Sequence, residues 1–261
     1  DLGHVDRVTD HLADAGMSVD VYDGCEREPS LADVADCIAF VRDETGGNGY
    51  DYYVGLGGGS CMDTAKVTRV VVENGGEPLD YVAEPTGEGK PITSSGPPLV
   101  LLPTTAGTGS EISPVAILSV EEQGIKEGIS SNHVRADAAV LDPTLTATLP
   151  PELTAKTAMD ALGHAIEGYT THDYDSLLRA SDPAERPVYA GKTPMTEMFS
   201  EKAIDLLSSN VRRAVHNGDD LRAREAMLQG ALFGAIAGLT AGASLCHAMA
   251  YPVGNRYHTS H

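Results

Sequence analysis

The sequence predicts an α/β domain followed by an all-helical domain, and three observations carry that prediction. Strand-length apolar runs alternate with helix-period segments as far as Pro143, and only helix-period segments follow. Two loops rich in Gly, Thr and Ser, GGGSCMDTAKV (57–67) and TTAGTGSEIS (104–113), each follow a strand-like run. Asp160 and His164 stand four residues apart in the first helical segment after the change, one turn apart on one helix face. Residues 1–148 are therefore expected to form the α/β domain and residues 149–261 the helical one. A chain of 261 residues suffices for both.

The first half reads as follows. Val5, Val8 and Leu12 share a helical face that Gly16 ends, and SVDVY (18–22) alternates like a short strand. Ser30 caps a second helix carrying Leu31, Val34, Ile38 and Val41. YDYYVGLG (50–57) is a compact buried-strand pattern, and a helix starts near Ser60. Residues 76–98 are rich in Gly, Pro and Glu and read as a surface loop. PLVLLP (98–103), SPVAILSV (113–120), the return GIKEGIS (124–130) and AAVLDP (138–143) read as strands.

The chemistry of the two loops follows from that placement. Three glycines between a strand and a helix let backbone approach a phosphate, and the helix N-terminus adds N–H donors and a positive dipole end. The spacing is not GxGxxG, so the usual dinucleotide fingerprint is absent. Lys66 reads equally well as a solvated side chain. The hydroxyls and N–H groups of 104–113 suit a pyrophosphate or a ribose.

In the second half Pro150-Pro151 opens the helix of Asp160 and His164. A polar connection covers 170–194, and 195–215 is amphipathic with Met195, Met198, Ile204, Leu207 and Val211 as its buried candidates. Asp219 or Asp220 caps the next helix. Residues 226–254 are small and nearly apolar, and read as one or two buried helices containing His247. A single buried histidine is usually a satisfied core residue. Here Asp160, His164, His247 and a last histidine, for which His258 and His261 compete, make a set of one carboxylate and three imidazoles that suits one divalent metal. His172 and His216 lie in polar surroundings and read as surface residues.

Composition narrows the partners. The 38 acids outnumber the 18 bases, for a net charge of −20, and only six of the bases are lysine. A distributed acidic surface disfavours nucleic acid and anionic membranes and favours solubility in salt. No run approaches the length of a membrane span, and DLGHVDRV lacks the basic and apolar regions of a signal peptide. Four cysteines without a CxxC read as reduced thiols. The expectation is a salt-adapted, halophilic cytoplasmic protein.

The sequence resembles the iron-containing (group III) alcohol dehydrogenase family. GGGSCMDTAK is similar to the family's first cofactor loop and PTTAGTGSE (103–111) to its second; DPTLTATLP, DALGHAIEGYTT, CHAMAYPVG and YHTSH follow in family order. The resemblance runs from residue 5 to residue 261. It implies an N-terminal dinucleotide-binding α/β domain, a C-terminal helical domain and a metal in the cleft between them. Carried over by position, it makes Asp160, His164, His247 and His261 the metal ligands. Gly58, Gly59, Ser60, Asp63, Thr104, Thr105 and Thr108 become phosphate contacts, and Lys126 a cofactor contact. Tyr251 stands where many family members carry a proton-relay histidine; either Tyr251 and water replace the relay, or the substrate differs from a simple alcohol. Softer cues, TGEGKPI (86–92), RPVYAGKTP (186–194), NGDDLRAR (217–224) and CHAMAYP (246–252), place the chain nearest the hydroxyacid–oxoacid transhydrogenases. By the family pattern the chain is expected to lack the first strand and the last helices. The metal is Fe2+ by resemblance, while the ligand set suits Zn2+ equally; the cofactor is NAD or NADP.

The expected function is metal-dependent hydride transfer between a small alcohol or hydroxyacid and a nicotinamide, in a protein expected to be a homodimer. The alternatives are a transhydrogenase with tightly held nicotinamide, a metal-dependent lyase or hydrolase, and a metal-free inactive truncated chain.

Overall fold

A computed structural model describes residues 2–176, 181–182, 189–242 and 244–257. The chain packs as two compact units: 1–104 with 114–140, and 105–113 with 141–261. The first is an α/β unit and the second is helical. The division thus falls at residue 140, eight residues before the boundary expected from sequence, and the second Gly/Thr loop belongs to the helical unit after Thr104.

In the α/β unit, α1 (His4–Asp14) and α2 (Leu31–Glu44) precede β1 (Tyr53–Gly57) and α3 (Gly59–Asn74). Ser30 caps α2 through a reciprocal box with Asp33: its Oγ accepts the Asp33 N–H, and the Asp33 carboxylate accepts the Ser30 N–H. β2 (Leu99–Pro103), the hairpin of β3 (Val115–Val120) and β4 (Ile125–Ser130), and the two-residue β5 (Ala138–Ala139) follow. β1, β2 and β5 form a parallel sheet in that order, and β3 pairs with β4 antiparallel. Parallel strands need a crossover, and α3 supplies the one from β1 to β2. Gly55 lets that helix lie close, because a Cβ there would stand 2.5 Å from Leu101 and 3.0 Å from Ala65. The core combines Val34, Ile38, Val67, Val70 and Val71 with Leu118 and Ile129 of the hairpin.

Gly57 pairs with Pro103, and the Thr104 N–H donates to the Gly57 carbonyl at 2.9 Å. The two loops therefore leave the carboxyl ends of adjacent parallel strands, where open α/β sheets bind ligands. Buried Arg69 locks the opposite strand ends. Its guanidinium donates to Asp137 at 2.9 Å and to the carbonyls of His133 and Arg135, and Asp137 in turn accepts the Leu99 N–H.

Residues 18–22 do not form the expected strand. Among the described residues no neighbouring backbone pairs with them, so alternation alone gives an irregular segment with Val19 and Val21 exposed.

The helical unit contains α4 (Pro151–Thr170), α5 (Pro194–His216), α6 (Leu221–Ala241) and α7 (Leu245–Tyr257). Asp220 caps α6, accepting the Ala223 N–H at 3.0 Å. Gly234 and Gly238 let α6 cross α4 backbone to backbone: added Cβ atoms would stand 2.8 Å from the Ala161 carbonyl and 2.9 Å from that of His164. Gly230 receives Leu207 of α5 in the same way. The buried residues of α5 are consequently mostly small, namely Thr196, Ser200, Ala203, Leu207 and Ala214. The expected Met195 and Met198 are instead exposed. Gly242, at φ 124°, ends α6 before α7. α7 is not the buried helix expected, since Leu245, Met249 and Val253 are about half exposed or more. No single helix among the described residues is long and apolar enough to cross a membrane.

Candidate functional site

The helical unit holds the metal-ligand candidates. Asp160 and His164 stand one turn apart on α4, and His247 of α7 lies against them. One ligand atom from each of the three lies within 4.8 Å of the others. The His164 and His247 rings stack at 4.5 Å between centroids, 29° from parallel. His247 Nε2 is 3.6 Å from Asp160 Oδ1. Gly163 lies beneath the ring, where an added Cβ would make ordinary van der Waals contact with His247 Cε1 at 3.7 Å. Gly238 brings α6 against the His164 backbone from the other side. The i, i+4 face read from sequence is thus completed by one residue from a distant helix.

Sequence reasoning missed Glu167. Its carboxylate accepts from His247 Nδ1 and from the N–H groups of Cys246 and His247. It follows His164 by three residues and so shares the ligand face of α4; that spacing was the available signal. Burial pushes the Glu167 carboxyl up, but the Ser244 N–H and the His247 ring and N–H outweigh it, and its pKa lies below the ordinary value. The Asp160 carboxylate, joined by Glu167 and opposed by burial, holds the His247 pKa above its ordinary value.

This donor set suits a divalent metal. One carboxylate and two imidazoles converge, and a carboxylate behind one imidazole is the arrangement that orients a ligating histidine. The chemistry of the set accepts Fe2+ and Zn2+ alike. His261 and His258 lie outside the described residues. Tyr251 lies one turn beyond His247 on α7.

In the α/β unit the nucleotide candidates stand at the start of α3. Gly58 is its N-cap, and Gly59 and Ser60 open the first turn. Ser60 Oγ accepts the Glu28 N–H at 3.1 Å, and its own O–H can still donate. Asp63 and Lys66 are built into the packing. The Lys66 ammonium, fully buried, donates to Asp63 Oδ1 and to the Val115 carbonyl, both at 3.1 Å, and Asp63 Oδ2 accepts the Ile117 N–H at 3.0 Å. The pair bolts α3 to β3, so Lys66 is not the solvated side chain that was one expectation. Lys126 pairs with Glu28 at 2.8 Å.

Thr104 follows β2 directly. Thr105 and Thr108 belong to the loop of the helical unit, where Thr108 Oγ1 accepts the Ser110 N–H at 3.2 Å. The glycines of that loop answer to packing: a Cβ on Gly107 would stand 2.8 Å from Thr157 of α4, and one on Gly109, at φ 64°, 2.2 Å from Ala235 of α6.

Known proteins resemble both parts of the chain. Residues 1–143 match the iron-containing alcohol dehydrogenase family, and residues 185–261 match the C-terminal part of the iron-containing alcohol dehydrogenase family. The mitochondrial hydroxyacid–oxoacid transhydrogenase of Mus musculus is 38% identical over 254 residues, covering 97% of this chain and 54% of that protein. Long-chain-alcohol dehydrogenase 1 of Geobacillus thermodenitrificans is 36% identical over 260 residues, covering 100% of this chain and 59% of that protein. The crystal structure of sulfoacetaldehyde reductase from Bifidobacterium kashiwanohense in complex with NAD+ superposes with a TM-score of 0.83 at 27% identity, over 98% of this chain and 60% of that one. The chain thus spans little more than half the length of the relatives it matches.

Proposed function

The chain belongs to the iron-containing alcohol dehydrogenase family, and from that premise we propose that it transfers hydride between the carbinol carbon of a small alcohol or hydroxyacid and a nicotinamide cofactor. The observation that carries the reading is the convergence of Asp160, His164 and His247. When bound, a divalent metal there would polarise the substrate oxygen as a Lewis acid, and the nicotinamide would take or give the hydride.

The chain's own residues supply the positioning. Asp160, His164 and His247 would hold the metal, with His261 as a fourth ligand by resemblance. Glu167 fixes the His247 ring, so its Nε2 faces Asp160. Gly58, Gly59 and Ser60 offer N–H groups and a hydroxyl to a phosphate at the α3 N-terminus. Thr104, Thr105 and Thr108 are proposed to contact the same cofactor, and Lys126 is proposed with them although it pairs with Glu28. NAD+ in the sulfoacetaldehyde reductase complex supports a nicotinamide.

The test is reconstitution with Fe2+ or Zn2+, then assay of alcohols and short hydroxyacids with NAD or NADP. Metal-dependent NAD(P)H formation is expected, and His164→Ala should abolish it while dinucleotide binding survives. Turnover that needs no nucleotide would sink hydride transfer and favour a lyase or hydrolase.

The likeness to the mouse transhydrogenase favours a second reading, in which bound nicotinamide shuttles hydride between a hydroxyacid and an oxoacid. Nicotinamide that stays with the protein through gel filtration supports it; strict dependence on added free cofactor opposes it.

A further inference from the structure

The segment that precedes α2 reaches the start of α3 through Glu28. This residue holds φ at 54°, the one positive φ outside glycine among the described residues. Positive φ costs a non-glycine residue free energy, so it persists only where the surroundings fix it. Three contacts fix Glu28. Its N–H donates to Ser60 Oγ at 3.1 Å, its carbonyl accepts the Ser119 hydroxyl at 3.1 Å, and its carboxylate pairs with Lys126 at 2.8 Å. The Ser119 N–H donates to the next carbonyl, that of Pro29, at 2.9 Å.

The β3–β4 hairpin lets one residue hold both partners. Ser119 of β3 and Lys126 of β4 stand opposite each other in register. Opposed residues of an antiparallel pair project from the same face. Glu28 bonds to both of them there, and to the first turn of α3 through Ser60. Two of its three contacts use backbone atoms, which a glycine would supply without strain at this φ. The third needs a side chain, and it goes to Lys126. The carboxylate is therefore the part of Glu28 that the backbone geometry does not call for.

We propose that Glu28 is a positioning residue for cofactor binding, whose carboxylate holds the Lys126 ammonium in place near the first turn of α3. This rests on the nucleotide reading above, in which Lys126 touches the cofactor and Glu28 acts through it. A lysine on a flexible stem loses rotamer freedom when a ligand orders it. An acceptor that fixes the ammonium beforehand removes part of that cost from binding. An ammonium carries several donors, so Lys126 can keep Glu28 and still donate to a phosphate or a ribose. The Glu28 side chain is half exposed and Lys126 largely covered, so the carboxylate reaches the ammonium from the solvent side.

The test is a double-mutant cycle on the whole chain, read as NADH Kd by fluorescence titration and as melting temperature. Glu28→Gly should bind NADH about threefold to tenfold more weakly than the wild type. Its melting temperature should change little, because the relaxed φ offsets the lost ion pair. Glu28→Gln keeps an acceptor oxygen at the same reach and should recover most of the lost affinity. Lys126→Met should also bind weakly, and the Glu28→Gly, Lys126→Met double variant no more weakly than Lys126→Met alone. A merely structural Glu28 would instead give additive losses. Wild-type affinity in Glu28→Gly, or additive losses in the double variant, overturns the positioning role. Tighter binding in both Glu28 variants also overturns it, because the carboxylate would then only repel the phosphates. Lys126→Met with wild-type affinity removes Lys126 as a cofactor contact, and the role of Glu28 with it. A wild-type chain that binds no NADH overturns the nucleotide reading itself together with the proposal.

Discussion

Glu167 accepts the Nδ1 proton of His247, while Nε2 of the same ring faces Asp160 Oδ1 at 3.6 Å. The proton is assigned to Nδ1 because an ionised carboxylate can only accept. One contact thus fixes both tautomer and ring angle, leaving Nε2 as the lone-pair nitrogen for a metal. Glu167→Gln keeps the shape and removes the charge. Its expected effect is a metal affinity lower by roughly 10–100-fold. Titration calorimetry with Zn2+ on the apo-protein reads this, and circular dichroism should show the helices intact. Unchanged affinity would make Glu167 a structural cap of α7 only.

The close crossing of α4 and α6 depends on Gly238. A Cβ at that position would stand 2.9 Å from the His164 carbonyl and 3.2 Å from His164 Cβ. Helix propensity favours alanine there, by about 1 kcal/mol. The backbone contact decides the sign against it, because a carbonyl in a helix cannot move aside as a side-chain tip can. Gly238→Ala should therefore destabilise the chain, by about 1–3 kcal/mol. It should also weaken metal binding, since the displaced residue, His164, is a proposed ligand. Urea denaturation and metal titration measure the two effects.

Much of this was legible because it is local. The β1–loop–α3 unit follows from an apolar run, three glycines and a helical period, and the Ser30 cap from four residues. Asp160 and His164 share a face by spacing alone. What stayed hidden depended on partners far along the chain. Glu167 looked like any helix acid until α7 placed His247 beside it. Lys66 is buried only because Val115 and Asp63 receive it. Met195 and Met198 yielded the α5 interface to smaller residues because the glycines of α6 admit only a close approach. The 18–22 segment alternates as a strand should, but pairing needs a neighbour that periodicity does not supply.

The charge of −20 has a consequence for stability. Self-repulsion is larger in the compact state than in the expanded one, so screening should favour folding. Raising salt shortens the screening length from about 10 Å at 0.1 M to about 3 Å at 1 M. The melting temperature is expected to rise with potassium chloride over that range, whereas sucrose at matched osmolality should give a smaller change. A melting temperature that falls across the range would remove the proposal of salt adaptation.

Cys61 should show its environment in its reactivity. Alkylation requires the thiolate, so its rate follows the deprotonated fraction. An ordinary thiol reaches half of its limiting rate at about pH 8.5. With the Cys25 S–H and two N–H groups directed at its sulfur, Cys61 should do so near pH 7. The sign for stability follows from the same depression. The thiolate's stabilising interactions are fully present only above the ordinary thiol pKa, and are lost as pH falls through about 7. Iodoacetamide labelling of the reduced chain, quantified on the peptide containing Cys61, gives the rate profile. Cys25→Ala removes the largest stabiliser of the thiolate, and its midpoint should move up toward that of an ordinary thiol. A wild-type midpoint that already sits there would mean that the Cys25 contact does not ionise Cys61.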